Sequence, residues 1–185
     1  MAVKTHILSE LPTEPVNGKF YRLIRKRYAD KPLSMFGSLK EGGRYNVAGA
    51  FSALYLGFDQ ETCRAEVSQG IASGLPFKPG AFVLWNYNAL LNSVIRLDDQ
   101  NICKRIGVTL EEITVTGDHQ WAGLIGEPLY KRGVEGLVAP SAQRKGGKCL
   151  DIYLDNVKPP AYVKPIKKLG TWPPPSSAAL PPNNY

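Results

Sequence analysis

An arginine in a glycine turn, a tyrosine on a short strand and a carboxylate on a helix fall within the 25 residues from Gly42 to Glu66. The turn Gly42-Gly43-Arg44-Tyr45-Asn46 sets a guanidinium beside two residues that adopt backbone angles closed to others, so the main chain can approach a ligand closely, which suits a phosphate. Ser52 to Gly57 alternates as a strand, with Leu54 and Leu56 on one face and Ala53, Tyr55 and Gly57 on the other. The Tyr55 ring then lies on the small-residue side, where a flat ligand could rest. Asp59 is placed to N-cap a helix from Gln60 to about Gly70, on which Cys63, Glu66, Val67 and Gly70 share a face while Glu61 and Arg64 look outward. The same residues also read as a structural ion pair, Arg44 with Glu66, beside a core tyrosine.

Two further groups invite a chemical reading. Lys19 to Arg25 is a strand on which Arg22 points the same way as Phe20 and Ile24. A guanidinium so placed needs a partner, because it does not neutralise and an unpaired buried charge is costly. A bound diphosphate would serve, as would Glu66 or a course out to the sheet edge. Ser141 lies in Pro140-Ser141-Ala142 at the exit of a buried strand over 134–139, a position where a serine is ordinarily a turn former.

The remaining elements form their scaffold. Met1 to Asn17 reads as a polar leader, 29–41 as a loop or broken helix, and 81–87 and 94–97 as two separate strands. Asp98 and Asp99 open a short helix to Arg105, Thr109 with Glu112 makes a capping box, and 118–131 is helical with a break near Glu127 where Pro128 restarts it. Cys149 to Leu154 is the last strand. Eight of the fifteen prolines follow Asn156, and the stretch 156–185 is expected to form no sheet, only an extended, proline-rich arm. Short strands separated by helices predict an α+β fold, a single domain with a mixed twisted sheet flanked by helices.

Composition narrows the function. At 185 residues and 43% apolar content the chain buries one ordinary core. No apolar run reaches the 18 or so residues of a membrane span and the start lacks a secretory signal, so the expectation is a cytoplasmic protein without a membrane partner. Three scattered cysteines and two histidines argue against a disulfide framework and a metal site. Of the net charge of +7, a large part comes from Lys158, Lys164, Lys167 and Lys168, beyond the last acidic residue, Asp155. With Arg22, Arg25, Lys26, Arg27 and Lys31 these allow a non-enzymatic nucleic-acid-binding module as an alternative, although no nucleic-acid-binding motif is visible.

FYRL at 20–23, GGRYN at 42–46, ALYLGFDQETCRAEV at 53–67 and GLVAPSA at 136–142, in that order and spacing, resemble the RES-domain family, named for an arginine, a glutamate and a serine. The resemblance covers about residues 18–155, leaving 1–17 as leader and 156–185 as arm. It implies a fold like that of ADP-ribosyltransferase toxins, with NAD bound in a cleft. It further implies a toxin of a bacterial toxin–antitoxin pair that destroys NAD by releasing nicotinamide and passes ADP-ribose to water, phosphate or, in the alternative, a protein. The partners implied are NAD as substrate and a cognate antitoxin, with nucleic acid reached only through the antitoxin and a homo-oligomer allowed.

Carried over residue by residue, the family arginine falls on Arg22, the turn arginine on Arg44, the strand tyrosine on Tyr55, the glutamate on Glu66 and the serine on Ser141. Tyr45 stands where the family more often has tryptophan. Glu66 is then the carboxylate that stabilises the ribosyl cation as nicotinamide leaves. Arg22 and Arg44 would clamp the diphosphate, Tyr45 and Tyr55 would line the NAD site, and Ser141 and Asn46 would hold ribose or phosphate oxygens.

Overall fold

The computed structural model describes residues 3–72, 81–115 and 120–172; the expected connection over 73–80, His119 and the prolines beyond 172 lie outside them. Six strands, β1 (Glu14–Arg25), β2 (Leu54–Gly57), β3 (Phe82–Arg96), β4 (Gly136–Pro140), β5 (Lys148–Ile152) and β6 (Tyr162–Trp172), form one mixed sheet in the order β1-β2-β5-β4-β3-β6. β3 and β4 run parallel and every other neighbouring pair is antiparallel. Because β1 also pairs with β3, five strands close into a ring, and β6 extends the sheet outside it. Five helices accompany them: α1 (Phe36–Glu41), α2 (Gln60–Ala72), α3 (Gln100–Ile106), α4 (Leu110–Thr114) and α5 (Gln120–Lys131).

Alternation along each strand sorts the apolar residues into two populations. Val16 and Phe20 of β1, Leu54 and Leu56 of β2, Tyr87 and Val94 of β3, Val138 of β4 and Leu150 and Ile152 of β5 meet in one cluster. Since all five ring strands contribute to it, this cluster fills the inside of the ring. The outward residues Ala53, Ile95, Leu137 and Ala139 pack instead with Ile102, Ile106, Ile113, Ile125 and Leu129 of the helices and with Leu8 and Leu11 from the first residues. A third group, Leu23, Phe82, Leu84 and Trp172, holds Cys63 and so seats α2 against β1 and β3. The stretch expected as a polar leader is built into the fold: a 3₁₀ turn over Thr5–Glu10 delivers Leu8 to the core, and β1 already starts at Glu14.

Local signals translate directly. Asp99 caps α3 by accepting from the Asn101 amide, and the Thr109–Glu112 capping box opens α4 with both reciprocal bonds in place. Asp98, expected beside Asp99 as a helix-start residue, instead joins distant parts of the sheet by accepting from Arg96 and Lys148.

Three expectations are corrected. The strands expected over 81–87 and 94–97 are one strand of 15 residues, β3. Its asparagines look like turn residues in the sequence, but Asn86 accepts from the Lys167 amide where β6 bulges, and Glu135 accepts from the amides of Asn92 and Ser93, so side chains carry the chain through its irregularities. The helix break at Glu127 does not occur, and α5 runs through Pro128. The carbonyl that the ring displaces belongs to Leu124, an exposed residue, where water can take the lost bond. Finally, 156–185 is not wholly an arm without sheet structure, because Tyr162–Trp172 is β6, paired with β3 from Phe82 to Leu90. A proline is tolerated at 165 because β6 pairs on one side only among the described residues. No helix among the described residues is long and apolar enough to cross a membrane.

Candidate active site

α2 packs on β1 and β2, with the Cys63 thiol donating to the Tyr21 carbonyl, and its seating explains why a carboxylate reaches Cys149 of β5. Asp59 accepts from the Thr62 amide at 2.7 Å and from the Thr62 hydroxyl at 3.1 Å, starting the helix as expected. One turn on, Cys63 fits against Gly57, where a Cβ would overlap its sulfur. Glu66, on the same helix face, then meets the strand exits. Glu61 and Arg64 pair with each other at the surface.

Ser141, 75 residues further along the chain, donates its hydroxyl to Glu66 Oε1 at 2.5 Å. The same Oγ accepts from the amides of Gln143 and Arg144 at 3.2 and 3.1 Å, so its single proton is directed at the carboxylate and its lone pairs are used. Arg144 in turn donates to Asp59 Oδ2 at 2.9 Å and to Thr62 Oγ1 at 3.1 Å, clasping the turn that carries Ser141 to the start of α2. The serine is a turn former, as its type suggests, and a partner of Glu66 as well. Cys149 Sγ stands 3.8 Å from the same Glu66 oxygen, and burial followed by the charge of Glu66 holds its thiol well above the usual range.

The glycine turn is built against this face from the other side. Tyr55 Oη donates to Asn46 Oδ1 at 2.5 Å, and Asn46 donates to the carbonyls of Ser38 and Phe51. Gly43 is required because a Cβ there would overlap the Tyr55 hydroxyl. At Gly43 the close approach that the turn permits is made by the protein's own Tyr55. Tyr45 is 1% exposed, and its hydroxyl, buried with no partner among the described residues, is pushed up by burial and then by Asp151. Its carbonyl accepts from Tyr153 Oη at 3.1 Å and sits against Gly126 of α5, where a Cβ would fall on the carbonyl itself. Gly126→Ala is therefore expected to force α5 off the turn and to lower stability by about 1–3 kcal/mol, read as a lower midpoint in chemical denaturation; an unchanged midpoint would show that the contact yields freely.

Arg44 leaves the turn toward α4, donating through Nη1 to the carbonyls of Ile113 at 2.5 Å and Val115 at 3.2 Å. It does not pair with Glu66, and the structural ion pair considered for the two is absent among the described residues. Arg22 is also apart from Glu66. It faces the inside of the ring with Phe20, and its Nη1 donates to the carbonyls of Pro32 and Ser34 at 3.1 and 3.0 Å, beside Tyr87, whose hydroxyl donates to the same Pro32 carbonyl. Burial pulls its guanidinium below the usual value. The structure thus gathers Glu66, Ser141, Tyr55, Asn46 and Tyr45 on one face, brings Arg44 to its border, and sets Arg22 across the sheet.

One residue of the site has no motif to announce it. Asp151 lies on β5 opposite Tyr55 and Leu137, on the face it shares with Cys149 and Tyr153, and is 2% exposed. The only signal in the sequence is a lone acid in the apolar strand Cys149–Leu154. Among the described residues, no group of three or more histidine, cysteine, aspartate or glutamate side chains is arranged to hold a metal.

A family model described as the RES domain matches residues 19–173, which takes in β6. No curated protein matches the chain. Among solved structures, the chain resembles one described as the crystal structure of the M. tuberculosis MbcT–MbcA toxin–antitoxin complex, with 18% identity, 90% of each chain covered and a TM-score of 0.72; at that identity the likeness is one of fold.

Proposed function

The chain belongs to the RES-domain family, and from that premise we propose that it is the toxin of a toxin–antitoxin pair and that its reaction is cleavage of the nicotinamide–ribose bond of NAD. The observation that carries this reading is the Ser141–Glu66 hydrogen bond, which fixes one carboxylate on the face that also carries Tyr55. As nicotinamide departs with the bonding electrons, positive charge grows on the ribose, and a carboxylate held in place lowers that barrier without reorganising. Glu66 supplies the charge, Ser141 aims it, and Tyr55 bounds the nicotinamide side of the site. Arg44, anchored through Nη1, presents the rest of its planar fork to the diphosphate. Tyr45 and Asn46 contribute by holding the turn and Tyr55.

Arg22 acts from the inside of the ring, where it ties down the chain at Pro32 and Ser34. Arg22→Lys replaces a planar fork by a point charge, and is expected to weaken NAD binding about tenfold, about 1.4 kcal/mol, measured by calorimetry on the folded protein. Unchanged affinity would remove Arg22 from substrate binding and leave it an anchor of that loop.

The antitoxin is a protein partner, as in the complex whose fold this chain shares, and NAD places the activity in the cytoplasm. The deciding experiment incubates purified protein with NAD and measures free nicotinamide, with and without phosphate. Nicotinamide with ADP-ribose identifies water as acceptor, and ADP-ribose phosphate identifies phosphate. Label transferred to protein identifies a protein acceptor. No nicotinamide under any of these conditions overturns the reading.

A further inference from the structure

Three strands present an outward face that the candidate active site does not use. Phe20 of β1 and Tyr87 and Ala89 of β3 point into the ring, so alternation turns Lys19 and Asn88 outward. β6 continues that face on the far side of β3. The registers set Lys19, Asn88 and Lys164 in one row across the three strands, with Asn17 and Tyr162 in the row before and Lys167 in the row after. Neighbouring strands are about 4.8 Å apart and residues about 3.3 Å apart along a strand, so the three lysines span a patch of about 10 Å by 10 Å. α2 reaches the end of this face at Tyr21, whose carbonyl accepts from Cys63; beyond it Asn17, Lys19, Tyr162, Lys164 and Lys167 are exposed.

The charge of the patch is unbalanced. From Pro15 onward β1 holds no aspartate or glutamate, and neither does β3 or β6. Lys19, Lys164 and Lys167 form no ion pair among the described residues, whereas Lys168, opposite Trp85 on the other face, pairs with Asp30 at 2.9 Å. Lysines on an edge strand also discourage pairing with other chains, which would account for those of β6. It does not account for Lys19, which sits two strands inside that edge.

We propose that this face is a docking surface for single-stranded RNA, with phosphates on Lys19, Lys164 and Lys167 and a base on the Tyr162 ring. Every cation of the patch is a lysine. An ammonium on a flexible stem neutralises a phosphate without fixing its orientation, as sequence-independent backbone binding requires, whereas carboxylates of an acidic protein favour guanidinium forks. Lys164 Nζ lies 5.2 Å from the Tyr162 ring centroid, so a phosphate held there brings its base within reach of the ring. An open sheet with an exposed aromatic serves unstacked bases, which a duplex does not supply. Asn17 and Asn88, donors and acceptors beside the lysines, match the 2′-hydroxyl that distinguishes RNA from DNA. The surface is assembled by register across β1, β3 and β6, which is why no linear motif announces it. It is apart from the contact of Glu66 with β5 and stands independently of the NAD reading.

The test is fluorescence anisotropy of a short labelled oligouridylate titrated with the intact chain at two salt concentrations. Three phosphate contacts predict a slope of about −2 in log affinity against log salt, a fall of roughly twentyfold between about 50 and 200 mM. Lys164→Gln combined with Lys167→Gln, both at exposed positions, is expected to flatten the slope to about −0.7. Lys104→Gln combined with Arg105→Gln on α3, an equal loss of charge at exposed positions, should leave it at the parental value. Tyr162→Ala should weaken binding about tenfold without changing the slope. No binding at the lower salt, or equal flattening by the α3 pair, overturns the proposal. Equal affinity for polyglutamate of matched charge overturns it in favour of an acidic protein. Equal or tighter binding of oligothymidylate, or of duplex RNA, overturns the assignment to single-stranded RNA.

Discussion

Replacing Glu66 by glutamine is expected to lower nicotinamide release by roughly a hundredfold or more, the loss associated with one preorganised electrostatic group, without lowering the melting temperature. The two halves of that result have separate causes. Glutamine keeps an Oε1 that accepts from Ser141, so the geometry of the 2.5 Å contact survives while the charge that stabilises the ribosyl cation is gone. Stability is preserved because no arginine depends on Glu66: Arg22 is satisfied by Pro32 and Ser34, and Arg44 by Ile113 and Val115. Had Glu66 been a structural counter-ion, the substitution would have left a buried guanidinium unpaired, at several kcal/mol. The check is nicotinamide release alongside thermal melting of the same preparation. Parental release by a folded Glu66→Gln protein would sink the mechanism and turn attention to Glu61 or Glu127, and a marked fall in melting temperature would return Glu66 to a structural role.

Ending the chain at Ala161 is expected to abolish cooperative folding, whereas a chain ending at Trp172 should retain it. The shorter chain lacks β6, exposing the β3 edge from Phe82 to Leu90, and it loses Trp172 from the cluster that seats Cys63 and hence α2. Truncating one buried tryptophan costs roughly 3–5 kcal/mol, against a total of about 5–15 kcal/mol for an ordinary domain, and here an entire strand goes with it. Far-ultraviolet circular dichroism through a thermal ramp distinguishes the two. A sharp transition in the Ala161-terminated protein would show that β6 is an accessory after all.

Much of the site's local geometry is readable along the chain, because neighbouring residues determine it. The alternation of Leu54 and Leu56 against Tyr55 puts the tyrosine outside the ring; Asp59 starts α2, and helical spacing then carries Cys63 and Glu66 to one face. Thr109, Glu112 and Asp99 cap their helices with partners no more than three positions away. The order of FYRL, GGRYN, the Glu66 block and GLVAPSA is also a property of the sequence, and it identifies the family without a coordinate.

What tertiary structure alone decided depends on pairings between residues far apart. Proline density in 156–185 argues against a sheet, but a strand paired on one side needs only half of its amides, and β3 offers a free edge to Tyr162–Trp172. Arg22 and Glu66 are equally free to meet or not until closure of the ring by β1 and β3 turns one inward and leaves the other outside. Ser141 acquires its second role only when its turn comes to rest on α2, 75 residues away in sequence. Asp151 is one acid in an apolar strand, and its weight in the site comes from enclosure by Tyr55, Tyr45, Leu137 and Glu66. Those residues belong to elements whose sequence separations carry no local signal, and their meeting is settled by the closing of the sheet.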